Sequence, residues 1–597
     1  LKVLGNSVKA GEVKKTIGNF EITATISEEA NKVELKVKNI SMEPRFAGTF
    51  EVGEVIPTER LLVNNFQSWG PCKLTNKRDI LEHAFGNALI TEYPISPVPW
   101  ELHNHIVSDY FVSTEREFLG FLSSSVCHPY FVMQENGIKI KVYLGKTLKP
   151  EESVKLDPLW WSSFPPFEEA LRDYAETVAK NNRPRIGEPL FGWASWYHYY
   201  LEISESFLEK EIEVIKEKKI QYKLFQVDDG YEKDIGDWLY TNKKFPSGIK
   251  SLAEKIRQSN MMPGIWTAPF SMSETSEVFK NHPNWAVKDE EGNPIVAYKN
   301  WGKSIYALDT TNPDARRWLN ETFSTLRNYG YGFFKIDFLF AGMIPGKRYL
   351  NVTPVEAYRM GMSEIRKAVK DAHILGCGAP LLPSIGYVDS MRIGADTAPY
   401  WHEKDNGMPS AKYAMRNTLT RNFMNGLWWR NDPDCIMARL TNTELNKNER
   451  TLNIFLPALI NSVYLQSDKL YTLSEHEICE VKSALNFRGG NSRVWFVDSE
   501  RFATSSTGAV NGDVLAFVNL SDTEWYVDTS EFTPLLKGNA SGFLVTYPSM
   551  TKVKERRQKV EPHSILILMH CSRVKLKRED EKKKDGREFH YYGSDET

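Results

Sequence analysis

Up to about residue 180 the chain alternates short apolar and polar positions, as in Phe20 to Ile26, Val33 to Val37 and Ile138 to Val142, between Gly, Asn, Pro and charged turns. Period-two alternation puts every second side chain on one face, so 1–180 reads as an N-terminal β-sandwich domain. From about Pro189 the texture changes to apolar runs of four to eight residues alternating with amphipathic stretches, the pattern of parallel βα units. Eight candidate strands follow: Leu190 to Trp196, Tyr222 to Val227, Met262 to Thr267, Gly332 to Phe338, His373 to Cys377, Ser390 to Ile393, Leu427 to Trp429 and Val463 to Gln466. Helix starts lie between them at Ser204 or Ser206, at Ser247, and at Asn312-Pro313 and Thr353-Pro354, where the missing proline donor costs nothing. Eight strands predict a (β/α)8 TIM-type barrel over 181–487, with a doubly wound open sheet as the competitor. Alternation returns at Val494 to Val497, Val514 to Val518, Gly542 to Thr546 and Ser564 to Met569, a small C-terminal antiparallel β domain over 488–572. The tail, 573–597, is charged and nearly free of aliphatics, the composition of a solvated, disordered end.

Composition narrows the function classes. A net charge of −2 names no polyanionic partner and argues against nucleic acid, and 41% hydrophobic with 25% charged residues is the balance of a soluble globular protein. No run reaches membrane-spanning length, and Leu1 to Lys15 carries no apolar signal core, so the expected partner is not a membrane and the expected compartment is the cytoplasm. Six scattered cysteines without zinc-site spacing fit reduced thiols. Walker A, GxGxxG, GxSxG and HExxH motifs are absent from the sequence.

A barrel places its chemistry at the C-terminal ends of the strands, and polar residues interrupt the apolar runs there: Asp228-Asp229, Trp266, Lys335 with Asp337, Cys377, Arg392 with Asp396, and Asn431 to Asp434. Lys335 and Asp337, two apart on a strand, share a face, and an ammonium beside a carboxylate is expected to lower its pKa, whether for a nucleophile or for a structural ion pair. Asp396 supplies a second carboxylate, as a glycosidase needs, or else pairs with Arg392; Asp389 is a rival that precedes its strand. Asp228 and Asp229 suit sugar hydroxyls or a cation, which keeps a metal-dependent barrel lyase or isomerase open as an alternative, while EF-hand spacing is lacking. Trp193, Trp196, Tyr197 and Trp266 offer ring faces for a sugar or simply pack the core. His103, His105 and His198 read as ordinary polar side chains rather than metal ligands.

Seven ordered motifs, Gly192-Trp193-Ala194-Ser195-Trp196-Tyr197-His198-Tyr199, Asp228-Asp229-Gly230-Tyr231 with Asp237-Trp238, Gly264 to Phe270, Phe334 to Phe338, Leu375 to Gly378, Arg392 to Pro399 and Asn431-Asp432-Pro433-Asp434-Cys435, together resemble the α-galactosidases of glycoside hydrolase family 36, most closely the compact enzymes of Thermotoga-like thermophilic bacteria. The resemblance implies a retaining exo-α-galactosidase acting on terminal α-1,6-galactose of melibiose, raffinose-type oligosaccharides or galactomannan. Asp337 would be the nucleophile and Asp396 the acid/base. Trp69, Trp196, Tyr197, Asp228, Asp229, Trp266, Lys335, Cys377 and Arg392 would bind the sugar, with no metal and no cofactor. An α-N-acetylgalactosaminidase or galactosyltransferase using the same carboxylates is the alternative within the clan.

Overall fold

A computed structural model describes residues 1–78, 98, 106–134, 137–163, 166–402, 409–509, 512–532, 543–547, 551–552 and 556–571. His103, His105 and the charged tail lie outside them. The described chain divides into two compact units, Leu1–Glu444 with Ser462–Ser474, and Leu445–Asn461 with Glu475–Thr597.

The first unit opens with two antiparallel sheets. Their strands carry the alternation seen in the sequence: in Phe20–Ser27 the buried positions are Phe20, Ile22, Ala24 and Ile26, and in Lys32–Asn39 they are Val33, Leu35, Val37 and Asn39. The all-β expectation to residue 180 needs one correction, because Phe167–Asn182 is a helix. Phe167, Ala170, Leu171, Tyr174, Ala175 and Val178 recur at helical spacing and form its buried stripe.

Eight parallel strands follow: Phe191–Ala194, Leu224–Val227, Met262–Thr267, Phe333–Ile336, His373–Gly376, Ser390–Arg392, Arg430–Asp432 and Tyr464–Gln466. The first seven pair in parallel in succession and the last pairs with the first, while Val463 N–H to Asn431 O at 2.9 Å and the isolated Ile436–Gln466 bridge draw the seventh strand and the turn after it toward the eighth. The barrel is therefore nearly closed. Leu224–Val227 and Phe333–Ile336 are buried throughout, since helices cover one side and the barrel core the other. Three of the expected helix starts are capped by their side chains, while Ser247, before Gly248–Gln258, makes no side-chain cap bond. Ser204 accepts from Phe207 N–H, Asn312 from Asp314 and Ala315 N–H, and Thr353 forms a capping box with Glu356.

The seventh strand corrects the sequence reading. Leu427 to Trp429, the apolar run, is a turn, and the strand is the polar triplet Arg430–Asp432. The Trp428 indole is buried there and donates to Ala175 O at 3.0 Å, so the run plugs against the Phe167–Asn182 helix rather than entering the barrel. The third strand is followed by an inserted antiparallel sheet of Ser271–Ser273, Lys303–Ala307 and Val296–Asn300.

The second unit contains the helices Lys447–Leu459 and Glu475–Leu485 and an antiparallel sheet that includes Asn491–Phe496, Arg501–Ala509, Gly512–Asn519 and Ser564–Cys571. Ala503, Leu515, Phe517, Trp525, Val527, Val560 and Leu568 form its core. Among the described residues no helix is long and apolar enough to cross a membrane.

Candidate active site

Parallel strands entering the barrel in one direction bring their C-terminal ends to one mouth. Asp337 follows the fourth strand and is 6% exposed. Its Oδ2 accepts from Trp266 Nε1 at 3.1 Å and its Oδ1 from the Phe338 backbone N–H at 2.8 Å. Phe338 turns left-handed, with φ 52°, directly after it. Two donors on two oxygens fix the plane of the carboxylate, as nucleophilic attack requires.

The pKa expectation for this group is overturned. Burial pushes the Asp337 carboxyl above its ordinary range, and Lys335, Cys377, Trp266 and the Phe338 N–H only partly oppose it. The reason is geometric as well, because Lys335 Nζ bonds Asp228 Oδ2 at 2.8 Å rather than Asp337. Burial opposes the Lys335 ammonium too, but Asp228, Cys377 and Asp337 hold its proton more tightly than usual.

Asp228 is a collection point for donors: Gln226 Nε2 at 2.6 Å on Oδ2 beside Lys335, and the Asp229 N–H at 3.0 Å on Oδ1. The Asp228 N–H in turn donates to Ser195 Oγ at 2.9 Å. Asp229 Oδ2 accepts from Trp301 Nε1 at 2.8 Å, while Oδ1 is buried and takes no donor from the protein. Burial and the neighbouring Glu232 push this carboxyl well up. Gln226 Oε1, Thr267 Oγ1 and the Trp238 indole nitrogen are also buried without a partner. Unsatisfied buried polar atoms are costly, so their accumulation around the mouth marks a place for a polar ligand or water.

Asp396 lies beyond the sixth strand with a side chain 42% exposed, and Arg392 Nη2 donates to its Oδ1 at 2.8 Å. Arg392 also reaches Asp434 Oδ2, on which Tyr197 OH and the Thr397 N–H at 2.8 Å converge. Burial pushes Asp434 up to about 6, against the pull of Arg392. Cys377 Sγ sits between the two carboxylate regions, 3.3 Å from Trp69 Nε1 and 4.0 Å from Arg392 Nη1, and burial together with Asp337 keeps it a thiol. Trp69 reaches the barrel from the N-terminal sheets and packs edge-on to Phe338 at 5.0 Å and Phe340 at 5.8 Å.

Asp228, Asp229, Trp266, Lys335, Asp337, Cys377, Arg392, Asp396 and Trp69 are thus linked in one network. Tyr197 joins it through its hydroxyl, its ring being buried in a cluster with Ala194, Leu465 and Cys435. Trp196 packs against that cluster and edge-on to Tyr200 at 5.3 Å. Trp193 is core, stacked on Phe225 at 4.6 Å. His198 is half-buried and, at about 4, neutral. Asp389 belongs to the opposite end of the sixth strand, tied to Arg366, to Arg185 at 3.0 Å and to the Ile374 N–H at 2.8 Å.

The sequence placed Asp434 within the strand-end run Asn431 to Asp434 without giving it a role of its own, and did not single out Trp301. Trp301 carried no signal, because its place depends on how the inserted hairpin folds back.

Comparison with known proteins identifies the family. Residues 18–160 match the model of the N-terminal region of α-galactosidase and residues 174–360 that of melibiase. The α-galactosidase TtGalA of Thermus thermophilus, solved with p-nitrophenyl α-D-galactopyranoside, superposes with a TM-score of 0.65 at 26% identity, covering 84% of this chain and 98% of that one. α-Galactosidase AgaA of Geobacillus stearothermophilus is 26% identical over 140 residues, 22% of this chain and 18% of that protein. An α-galactosidase of Oryza sativa subsp. japonica is 26% identical over 147 residues, 24% of this chain and 34% of that protein. The chain therefore matches only a minor share of the length of these curated relatives. With both family models in order along the chain and the Thermus fold matched nearly end to end, the chain belongs to glycoside hydrolase family 36, the family of α-galactosidases.

Proposed function

We propose that the protein is a retaining exo-α-galactosidase that releases terminal α-linked galactose from oligosaccharides of the melibiose and raffinose type or from galactomannan. One observation carries the reading: two carboxylates in one network have opposite environments. Asp337 is buried and held by a donor on each oxygen, which suits an aligned nucleophile. Asp396 is half exposed and held on one oxygen by Arg392, which leaves the other to exchange a proton with a leaving group or water. Attack by Asp337 on the anomeric carbon breaks the glycosidic bond while Asp396 protonates the departing oxygen. Water, deprotonated by Asp396, then releases the sugar with its configuration retained. Asp228 and Asp229, with Lys335 beside them, would take the sugar hydroxyls. The Thermus relative, solved with an aryl α-galactoside and with stachyose, supports this substrate class.

The metal-dependent alternative is disfavoured by the donors around the acidic pair. An ammonium, an amide and a backbone N–H occupy both oxygens of Asp228, and an indole N–H occupies one oxygen of Asp229, which leaves a single carboxylate oxygen of the pair without a donor, and the Lys335 ammonium on Asp228 would repel a cation there.

The test is hydrolysis of p-nitrophenyl α-galactoside beside the α-glucoside and the α-N-acetylgalactosaminide, in chelator, with proton NMR of the first anomer. Release of α-galactose with the other two glycosides untouched is expected. β-Galactose first would remove Asp337 as nucleophile, and preference for another glycoside would remove the galactose assignment.

A further inference from the structure

We propose that Trp301 is a positioning residue that ties recognition of the sugar at Asp229 to alignment of the nucleophile at Asp337; this rests on the galactosidase reading above. Trp301 stands at the tip of the hairpin Val296–Asn300 and Lys303–Ala307, inserted after the third barrel strand. Asn300 pairs with Lys303, so Trp301 and Gly302 alone make the turn, at φ 52° and 68°. Two successive left-handed residues define the mirror-image hairpin turn that Asn-Gly fills without strain. A tryptophan in the first of these positions is strained, and strain of this kind persists only where the surroundings over-determine it.

The surroundings are the site itself. The indole N–H is the donor on Asp229 Oδ2 at 2.8 Å, and it leaves the buried Oδ1 as the oxygen without a protein donor. The ring lies 5.3 Å from Phe338 and 6.3 Å from Trp266, the two residues that supply the donors to Asp337. One side chain thus hydrogen-bonds the Asp229 carboxyl and packs on the rings of both residues whose N–H groups, an indole and a backbone amide, hold Asp337. Trp301 needs no contact with the substrate to act, since it works through Asp229, Phe338 and Trp266.

The two functions separate by substitution. Trp301→Phe keeps a ring against Phe338 and Trp266 but removes the N–H, whereas Trp301→Ala removes both. Steady-state kcat and KM are measured for wild type and variants on p-nitrophenyl α-galactoside and its 4-deoxy and 6-deoxy analogues. For Trp301→Phe, kcat/KM on the galactoside falls by roughly two- to tenfold, the net worth of an ordinary hydrogen bond. The analogue lacking the hydroxyl that Asp229 holds is spared, so the galactoside-to-deoxy ratio shrinks by the same factor while kcat holds within about threefold. Trp301→Ala also lowers kcat. The ratio is independent of the folded fraction, and Trp301→Leu, which also lacks any donor, is read for the ratio in the same way if the Phe variant does not fold. An equal loss on all three substrates, or an unchanged ratio, overturns the proposal. Wild-type protein that turns over no galactoside would instead overturn the galactosidase reading itself.

Discussion

Replacing Lys335 by methionine tests whether the buried charges at the barrel mouth are organised as the structure implies. Methionine keeps the volume and apolar stem, so cavity terms are small and the change isolates the ammonium. Lys335 and Asp228 are 8% and 3% exposed and meet at 2.8 Å, so the variant leaves Asp228 as a buried carboxylate held by the Gln226 amide at 2.6 Å and the Asp229 N–H at 3.0 Å. Breaking a buried pair from one side costs about 3–5 kcal/mol, and the two remaining donors place this case near the lower end, roughly 3 kcal/mol at neutral pH. The cost resides in the stranded charge rather than in a lost attraction. Adding Asp228→Asn to Lys335→Met should therefore recover most of the lost stability, which thermal and urea unfolding of both variants would measure.

The same substitution has a kinetic signature. Burial raises the Asp337 carboxyl and Lys335 is the strongest opposing influence, so without the ammonium Asp337 takes up its proton at higher pH. A nucleophile must be ionised, so the acid limb of kcat/KM moves to higher pH in Lys335→Met. A single variant as stable as wild type, a double variant less stable than the single, or an unmoved acid limb would refute the reasoning.

Three further outcomes are expected. Asp337→Ala abolishes hydrolysis, and azide restores turnover with the β-galactosyl azide as product, identified by NMR; rescue giving the α-azide would contradict nucleophilic attack at that position. Asp396→Ala keeps the first step for p-nitrophenyl galactoside, whose leaving group needs no acid, but loses it for alkyl galactosides, as pre-steady-state bursts would show. Glu211, which accepts from Tyr199 OH at 2.6 Å and the Leu470 N–H at 3.0 Å, is pushed by burial from 4.5 up to about 7. The folded chain keeps this proton where the unfolded chain has released it, so the stabilisation is complete below pH 4.5 and is lost as pH rises through 7, by roughly 3 kcal/mol. Glu211→Gln should flatten the thermal midpoint over that window, and a parallel wild-type and variant profile would remove Glu211 as its cause.

What the sequence made legible follows from where the energy of each element resides. Barrel strands such as Met262–Thr267 and Phe333–Ile336 are buried on both sides, so their apolar runs announce them. Arg430–Asp432 escapes the same rule because its burial is satisfied by hydrogen bonds: Asn431 Nδ2 donates to Arg421 O at 3.0 Å and Asp432 Oδ1 accepts from the Asp434 N–H at 3.0 Å. The neighbouring tryptophans mimic a strand while sealing a turn. The paired carboxylates were visible because barrel geometry assigns chemistry to strand ends, a rule that needs only strand order. Partners were not visible, since Lys335 and Asp337 share a face of one strand while the ammonium bonds Asp228 of another. The count of other donors does not decide between a like-facing neighbour and a group on another strand, since Asp337 has the Trp266 and Phe338 N–H groups and Asp228 has an amide and a backbone N–H, yet the ammonium goes to Asp228. Under the proposed function, an ion pair fitted to Asp337 alone would oppose its attack, whereas a cation held on Asp228 counters the upward push of burial on Asp337 from a distance.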